Sequence, residues 1–252
     1  MLARTDVTQI QETPTVILPP VLSVTGVGKS FGGLHAVNDV GFEVGPGEVV
    51  GLIGPNGAGK TTMFNLVCGQ LKPDRGSVLF DSVDVTALAP SAAKRRGIMR
   101  SYQDGGIFGK LTAAENVMVP MLARGLKPRQ ADELARKALG RLGLAPVVND
   151  LAERLSGGQR KLIDFARCAV SEASLVLLDE PTNGVHPSIA TTMAEVIRER
   201  QRNGVACVII SHDLPWIFSL CSRVVVMVAG EKMTEGLPEV VGADPRVHAA
   251  YL

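Results

Sequence analysis

The sequence predicts an α/β fold built on a mainly parallel sheet. Two runs, 175–178 and 205–210, are continuously apolar and rich in leucine or β-branched residues. Runs without polar alternation suit strands buried on both faces of a parallel sheet. A helical stretch of about 189 to 201 lies between them, and strand, helix and strand in alternation make the parallel unit. A third observation is the short apolar run 49–53, which ends in a glycine-rich turn and then a helix over 61–68.

The elements follow in chain order. Residues 1–20 read as a polar tail without periodicity, ending in Pro19-Pro20. Segments 21–27 and 40–44 cluster apolar residues between glycines, as strands do. Segment 78–80 predicts another strand. Residues 111–144 are mostly helical in composition, with Pro128 as an interruption. Neither an internal repeat nor a low-complexity block is present.

Composition narrows the function classes. With 252 residues and 46% of them hydrophobic, the chain can build a sizeable core. A net charge of +1 gives no electrostatic case for nucleic acid. The four cysteines, Cys68, Cys168, Cys207 and Cys221, form no CxxC pair, which argues against a zinc site or a disulfide framework. Small apolar fillers in a reducing compartment is the simpler reading. The most apolar runs have strand length, whereas a membrane helix needs about 20 apolar residues. The N-terminus lacks the pattern of a signal peptide. A cytoplasmic protein that meets any membrane through a partner is expected.

Two motifs carry chemistry. Gly54-Pro55-Asn56-Gly57-Ala58-Gly59-Lys60-Thr61 fits G-x-x-x-x-G-K-[ST] between a strand and a helix. The glycines let successive N–H groups point inward at phosphate oxygens, and the helix start adds its positive dipole end. Lys60 brings an ammonium to the β- and γ-phosphates, and Thr61 a hydroxyl to Mg2+; Thr62 continues the loop. Further on, the strand 175–178 ends in Asp179 and Glu180. Carboxylates at the C-terminal end of such a strand face the ligand crevice. Asp179 is placed to hold Mg2+, and Glu180, one residue on, to polarise an attacking water.

Leu155-Ser156-Gly157-Gly158-Gln159 completes the picture: it resembles the signature peptide of ABC-type ATPases, and it lies between the two motifs as it does in that family. The resemblance covers residues 21 to 252. It implies a P-loop NTPase core with a mainly parallel sheet, an antiparallel β subdomain, and an inserted helical signature subdomain at about 104–158. It implies ATP and Mg2+ as ligands, Phe31 as the aromatic on adenine, Gln103 as a link between Mg2+ and the helical subdomain, and His212 as the switch histidine at the γ-phosphate. Ser156, with the Gly157 and Gly158 amides and Gln159, would complete the ATP site of a second ATPase subunit. The helical subdomain would receive the coupling helix of a transmembrane permease, at the cytoplasmic face of the membrane.

Finer similarity points to the ATPases of branched-chain and hydrophobic amino-acid uptake, with amide and urea systems in the wider group. It lies in residues 31–37, 52–62, Phe64-Asn65-Leu66 and the tail 244–252. Such systems also use a substrate-binding protein. The alternatives are an ATPase of lipid or lipopolysaccharide export and a soluble non-transport ABC ATPase. One departure stands out. Where the family commonly has Gly-Leu-Asp-Pro or Gly-Leu-Asn-Pro, this chain has Gly184-Val185-His186-Pro187. A histidine there replaces a residue that helps couple the two sites of a dimer, and it can change charge near neutral pH.

Overall fold

The computed structural model describes residues 18–102 and 106–251. The tail expected over 1–20 therefore falls outside them up to residue 17, and Gln103 also lies outside the described residues.

The first strands, β1 (Leu22–Phe31) and β2 (Leu34–Val44), form an antiparallel hairpin that turns at Gly32, whose φ of +58° suits a residue without a Cβ. Next come β3 (Val49–Ile53), α1 (Lys60–Val67), β4 (Arg75–Phe80) and β5 (Val83–Asp84). The hairpin extends through β4 and β5 into a four-stranded antiparallel sheet of order β2-β1-β4-β5. Then follow α2 (Pro90–Arg96), β6 (Ile98–Arg100), α3 (Ala113–Leu122), α4 (Pro128–Arg141), α5 (Gly157–Ala169), β7 (Leu175–Asp179), α6 (Pro187–Arg202) and β8 (Ala206–Ile210). The chain closes with α7 (Leu214–Leu220), β9 (Arg223–Val228), β10 (Glu231–Gly236), α8 (Pro238–Gly242) and α9 (Pro245–Ala250).

The second sheet has the order β10-β9-β3-β8-β7-β6. Its pairings are parallel from β9 to β6, and β10 is the antiparallel edge. Every residue of β3, β7 and β8 is buried, as their unbroken apolar sequence requires. One core lies between the two sheets and around α1, with Val24, Phe42, Leu52, Phe64 and Phe80. The other lies across the parallel sheet, where Ile53, Leu178 and Ile209 meet residues of α3, α5 and α6.

The helical stretch expected over 111–144 is two helices. α3 is capped by Thr112 and Glu115, which bond each other's backbone N–H. It ends before Gly125, whose φ is +89°, and Pro128 opens α4 at its first turn, where a missing N–H is harmless. α3 packs on both α4 and α5.

Candidate functional site

The loop between β3 and α1 is shaped by where side chains cannot go. A Cβ on Gly54 would lie 2.0 Å from the carbonyl oxygen of Met227 on β9, and one on Gly59 would lie 2.3 Å from that of Ala36 on β2. Gly54, Gly57 and Gly59 have φ of +149°, +80° and +95°. The loop is thus wedged at the junction of the two sheets. No side chain caps the start of α1. Lys60 folds back over the loop, its Nζ donating to the carbonyls of Gly54 at 2.6 Å and Pro55 at 2.9 Å. Burial lowers its pKa from the ordinary lysine value, while Glu180 and Asp179 pull it upward.

Those two acids end β7, beside the loop. The Asp179 carboxylate accepts from an Arg100 guanidinium N–H at 3.1 Å, a pair almost wholly shielded from solvent. Arg100 in turn donates to Asn65 and to Gln70, and stands over the rings of Phe64 and Tyr102. Ser101 Oγ accepts from the Asp179 backbone N–H. Burial raises the Asp179 carboxyl above its usual value, and Arg100 draws it back. Glu180 sits at a φ of +48°, strained for a residue with a Cβ. Its Oε2 accepts from the His212 backbone N–H at 3.3 Å. The His212 ring nitrogen Nε2 stands 3.3 Å from Oε1, yet Oε1 is buried and has no hydrogen-bond partner. Burial raises the Glu180 carboxyl too, against the pull of His212.

One cleft of about 540 Å3 collects these groups. It is lined by Asn56, Gly57, Ala58, Gly59, Lys60, Thr61, Thr62, Asp179, Glu180 and His212, with Phe31 and Leu34 from the hairpin tip at its rim. Gly54 and Pro55 stand behind it, as the carbonyls that hold Lys60. The Phe31 ring is 48% exposed, with Lys29 Nζ 5.8 Å from its centroid. The cleft has an anion-binding loop, two carboxylates and a free aromatic face: it can take a phosphate chain, a hard cation and a planar base.

Ser156, Gly157, Gly158 and Gln159 do not line this cleft. They start α5, where Ser156 Oγ accepts from Gln159 N–H at 3.2 Å and Gln159 Oε1 accepts from Ser156 N–H at 2.9 Å. Gly158 approaches Gly184, to whose carbonyl an added Cβ would stand 3.2 Å away. His186 caps α6: its Nδ1 accepts from the Ser188 N–H at 3.3 Å and lies 2.8 Å from the Ser188 hydroxyl.

Sequence reasoning passed over two residues. Arg100 had no signal beyond a charge in an apolar stretch. Tyr251 lay in a tail segment noted only for similarity, yet its hydroxyl accepts from the Gly54 N–H at 2.7 Å. No helix among the described residues is long and apolar enough to cross a membrane.

Residues 37–183 match the sequence profile of a family described as "ABC transporter". The chain is 35% identical over 249 residues to the High-affinity branched-chain amino acid transport ATP-binding protein LivG of Escherichia coli (strain K12), covering 92% of this chain and 98% of the relative. It is 33% identical over 233 residues to the Lipopolysaccharide export system ATP-binding protein LptB of Haemophilus influenzae, covering 92% and 97%. Among solved structures, a nucleotide-free ATP-binding cassette from an ABC transporter superposes with a TM-score of 0.81 at 30% identity, covering 93% of this chain and 99% of that one.

Proposed function

The chain belongs to the ABC transporter family as an ATP-binding, ATP-hydrolysing subunit, and from that premise we propose that it binds MgATP in the cleft beside β3 and powers import of branched-chain or hydrophobic amino acids or related amides. The observation that carries the reading is the convergence, in one cleft, of Lys60 and the phosphate loop with Asp179, Glu180 and His212.

Each side chain has a task in that reading. Phe31 stacks on adenine. The loop amides and Lys60 hold the phosphates, Lys60 leaving its two carbonyl acceptors for phosphate oxygens. Thr61 and Asp179 offer hard oxygen donors in the cleft, the family resemblance adds Gln103, and the buried Glu180 Oε1 has no hydrogen-bond partner of its own; these residues suit Mg2+. When bound, Mg2+ neutralises charge on the β- and γ-phosphates. Arg100 holds the Asp179 carboxylate in place. Glu180 accepts a proton from the attacking water, and His212 holds Glu180 and senses the γ-phosphate.

The signature residues lie outside the cleft of their own chain. They serve the partner's ATP, so two cassettes close around two nucleotides, and hydrolysis releases the sandwich. A groove of about 350 Å3 edged by Lys94, Arg95, Pro120 and Arg124 adjoins α3 and receives the permease. The subunit then rests on the cytoplasmic face of the membrane, in a system with a substrate-binding protein. The helical subdomain runs from about 104 to 158 within an ATPase domain of 21–252. A second reading, lipid export, draws on the LptB relative, which covers as much of this chain as LivG does.

Lys60→Ala subunits and Ser156→Arg subunits are each inactive alone in this reading. Mixed, they regain activity, because half of the composite sites in a mixed dimer are intact. Mixtures that stay inactive overturn the composite site of a self-pairing chain. Uptake of labelled leucine against labelled lipid by the reconstituted complex separates the two transport readings.

A further inference from the structure

β3 ends at Ile53, where its ladder with β9 also ends, at the pair Ile53–Val226. The next N–H, that of the buried residue Gly54, lies past the last ladder pair, although β9 runs on beside it. Such a group needs an acceptor. It finds one 197 positions away, in the hydroxyl of Tyr251, at 2.7 Å. The carbonyl of the same residue accepts from Lys60 Nζ. Gly54 is therefore gripped on both of its peptide units, one by the phosphate-binding lysine and one by the end of the chain.

The grip from Tyr251 is built, not incidental. α8 lies on β9 and β10, so the closing segment hangs from the strand next to β3. Val241 and Val247 anchor α8 and α9 in the core at 1% and 4% exposure. The Asp244 carboxylate caps α9 by accepting from Arg246 N–H, and the His248 ring nitrogen Nε2 lies 2.7 Å from the Gly242 carbonyl. Tyr251 ends α9, with its N–H donating to the His248 carbonyl and its ring packed on the same core. Burial pushes its phenol up to about 12, and the nearby Glu180 charge adds to the shift. The hydroxyl thus stays neutral and keeps its own proton while it accepts from Gly54.

We infer that Tyr251 is a positioning residue for the phosphate loop: its hydroxyl fixes the first amide of the loop and makes the closing segment of the chain part of the nucleotide site. The inference rests on the reading of that loop as the MgATP site. Gly54 is the hinge through which β3 becomes the loop, and its φ of +149° lies where backbone freedom is large unless it is restrained. With the amide released, the loop amides and Lys60 must be ordered at the expense of binding.

The test uses the full chain and three proteins: wild type, Tyr251→Phe and Lys60→Ala. MgATP binding is followed by titration calorimetry, with steady-state hydrolysis alongside it. Tyr251→Phe keeps the ring and its packing and deletes only the acceptor. Its ATP affinity falls about three- to tenfold, the range for one neutral hydrogen bond. KM rises in step while kcat stays within about twofold, since the group acts on binding order and not on the reacting atoms. A role confined to folding would lower the unfolding midpoint and leave affinity and KM untouched. If Tyr251→Phe binds ATP as well as or better than wild type while Lys60→Ala loses binding, the inference falls and the site reading stands. If Lys60→Ala itself binds like wild type, the loop is not the site and both fall.

Discussion

Two helix starts meet phosphate in the proposed reading, and they are built in opposite ways. α1 begins after Gly59 with no side-chain cap, so its first N–H groups are free for a ligand. α5 begins with a closed capping box, Ser156 and Gln159 each bonding the other's backbone N–H. The first start is shaped to receive anions in the single chain. In the second, the Ser156 and Gln159 amides are bonded within the box, which leaves the Gly157 and Gly158 amides and the Ser156 hydroxyl proton as its donors. Losing such a cap costs about 1 kcal/mol. In the proposed reading, the first start binds ATP in the single chain and the second meets phosphate only when a partner brings it.

The largest effect that tests this contrast comes from Glu180→Gln. The amide keeps the shape but accepts no proton, so turnover falls about a hundredfold or more. ATP remains bound at the open start of α1, and the dimer persists with MgATP on sizing. Turnover near the wild-type rate would remove Glu180 from the chemistry.

Ser156→Ala acts on the other start. Turnover falls about tenfold, the scale of one hydrogen bond to a charged group. The affinity of the dilute single chain for ATP stays within about twofold of wild type, and the unfolding midpoint drops by about 2–4 °C with the lost cap. Equal losses of turnover and of single-chain affinity would show that both starts serve the same cleft.

The smallest effect concerns α6, whose start is capped by His186, its Nδ1 accepting from Ser188 N–H. His186→Ala removes that acceptor and should lower the unfolding midpoint by about 2–4 °C with turnover within about twofold, while His186→Asn, which can cap in its place, keeps the wild-type midpoint. An unchanged midpoint in His186→Ala would show that this cap does not hold α6.

Much of this was legible in the residues, and the gaps have physical causes. β3, β7 and β8 announce themselves because both faces are buried and no polar residue interrupts them. β6 has only three residues, Ile98–Arg100, and ends in a charge, too short for any period to show. β10, Glu231–Gly236, is a polar edge strand with no fully buried residue. The octapeptide and the Asp179-Glu180 pair read from local order, since a strand and the turn after it sit together in sequence. Arg100 and Tyr251 do not, because what makes them matter is a partner far along the chain: Asp179 for one, Gly54 for the other. Between 111 and 144 composition indicated helix and Pro128 marked the interruption; the break lies just ahead of it, where the left-handed Gly125 follows α3 and Pro128 opens α4.

The seam at the two glycines bears on protein engineering. Gly54 lies against the backbone of β9 and Gly59 against that of β2, strands of two different sheets, one far along the chain and one just before β3. The octapeptide is therefore not a portable module. Grafted onto another strand–helix joint, it would keep its spelling and lose its walls, and flexible glycines without those walls favour no one conformation. A transplant that binds nucleotide would have to carry Ala36 and Met227 with it, so the smallest transferable unit is both sheets.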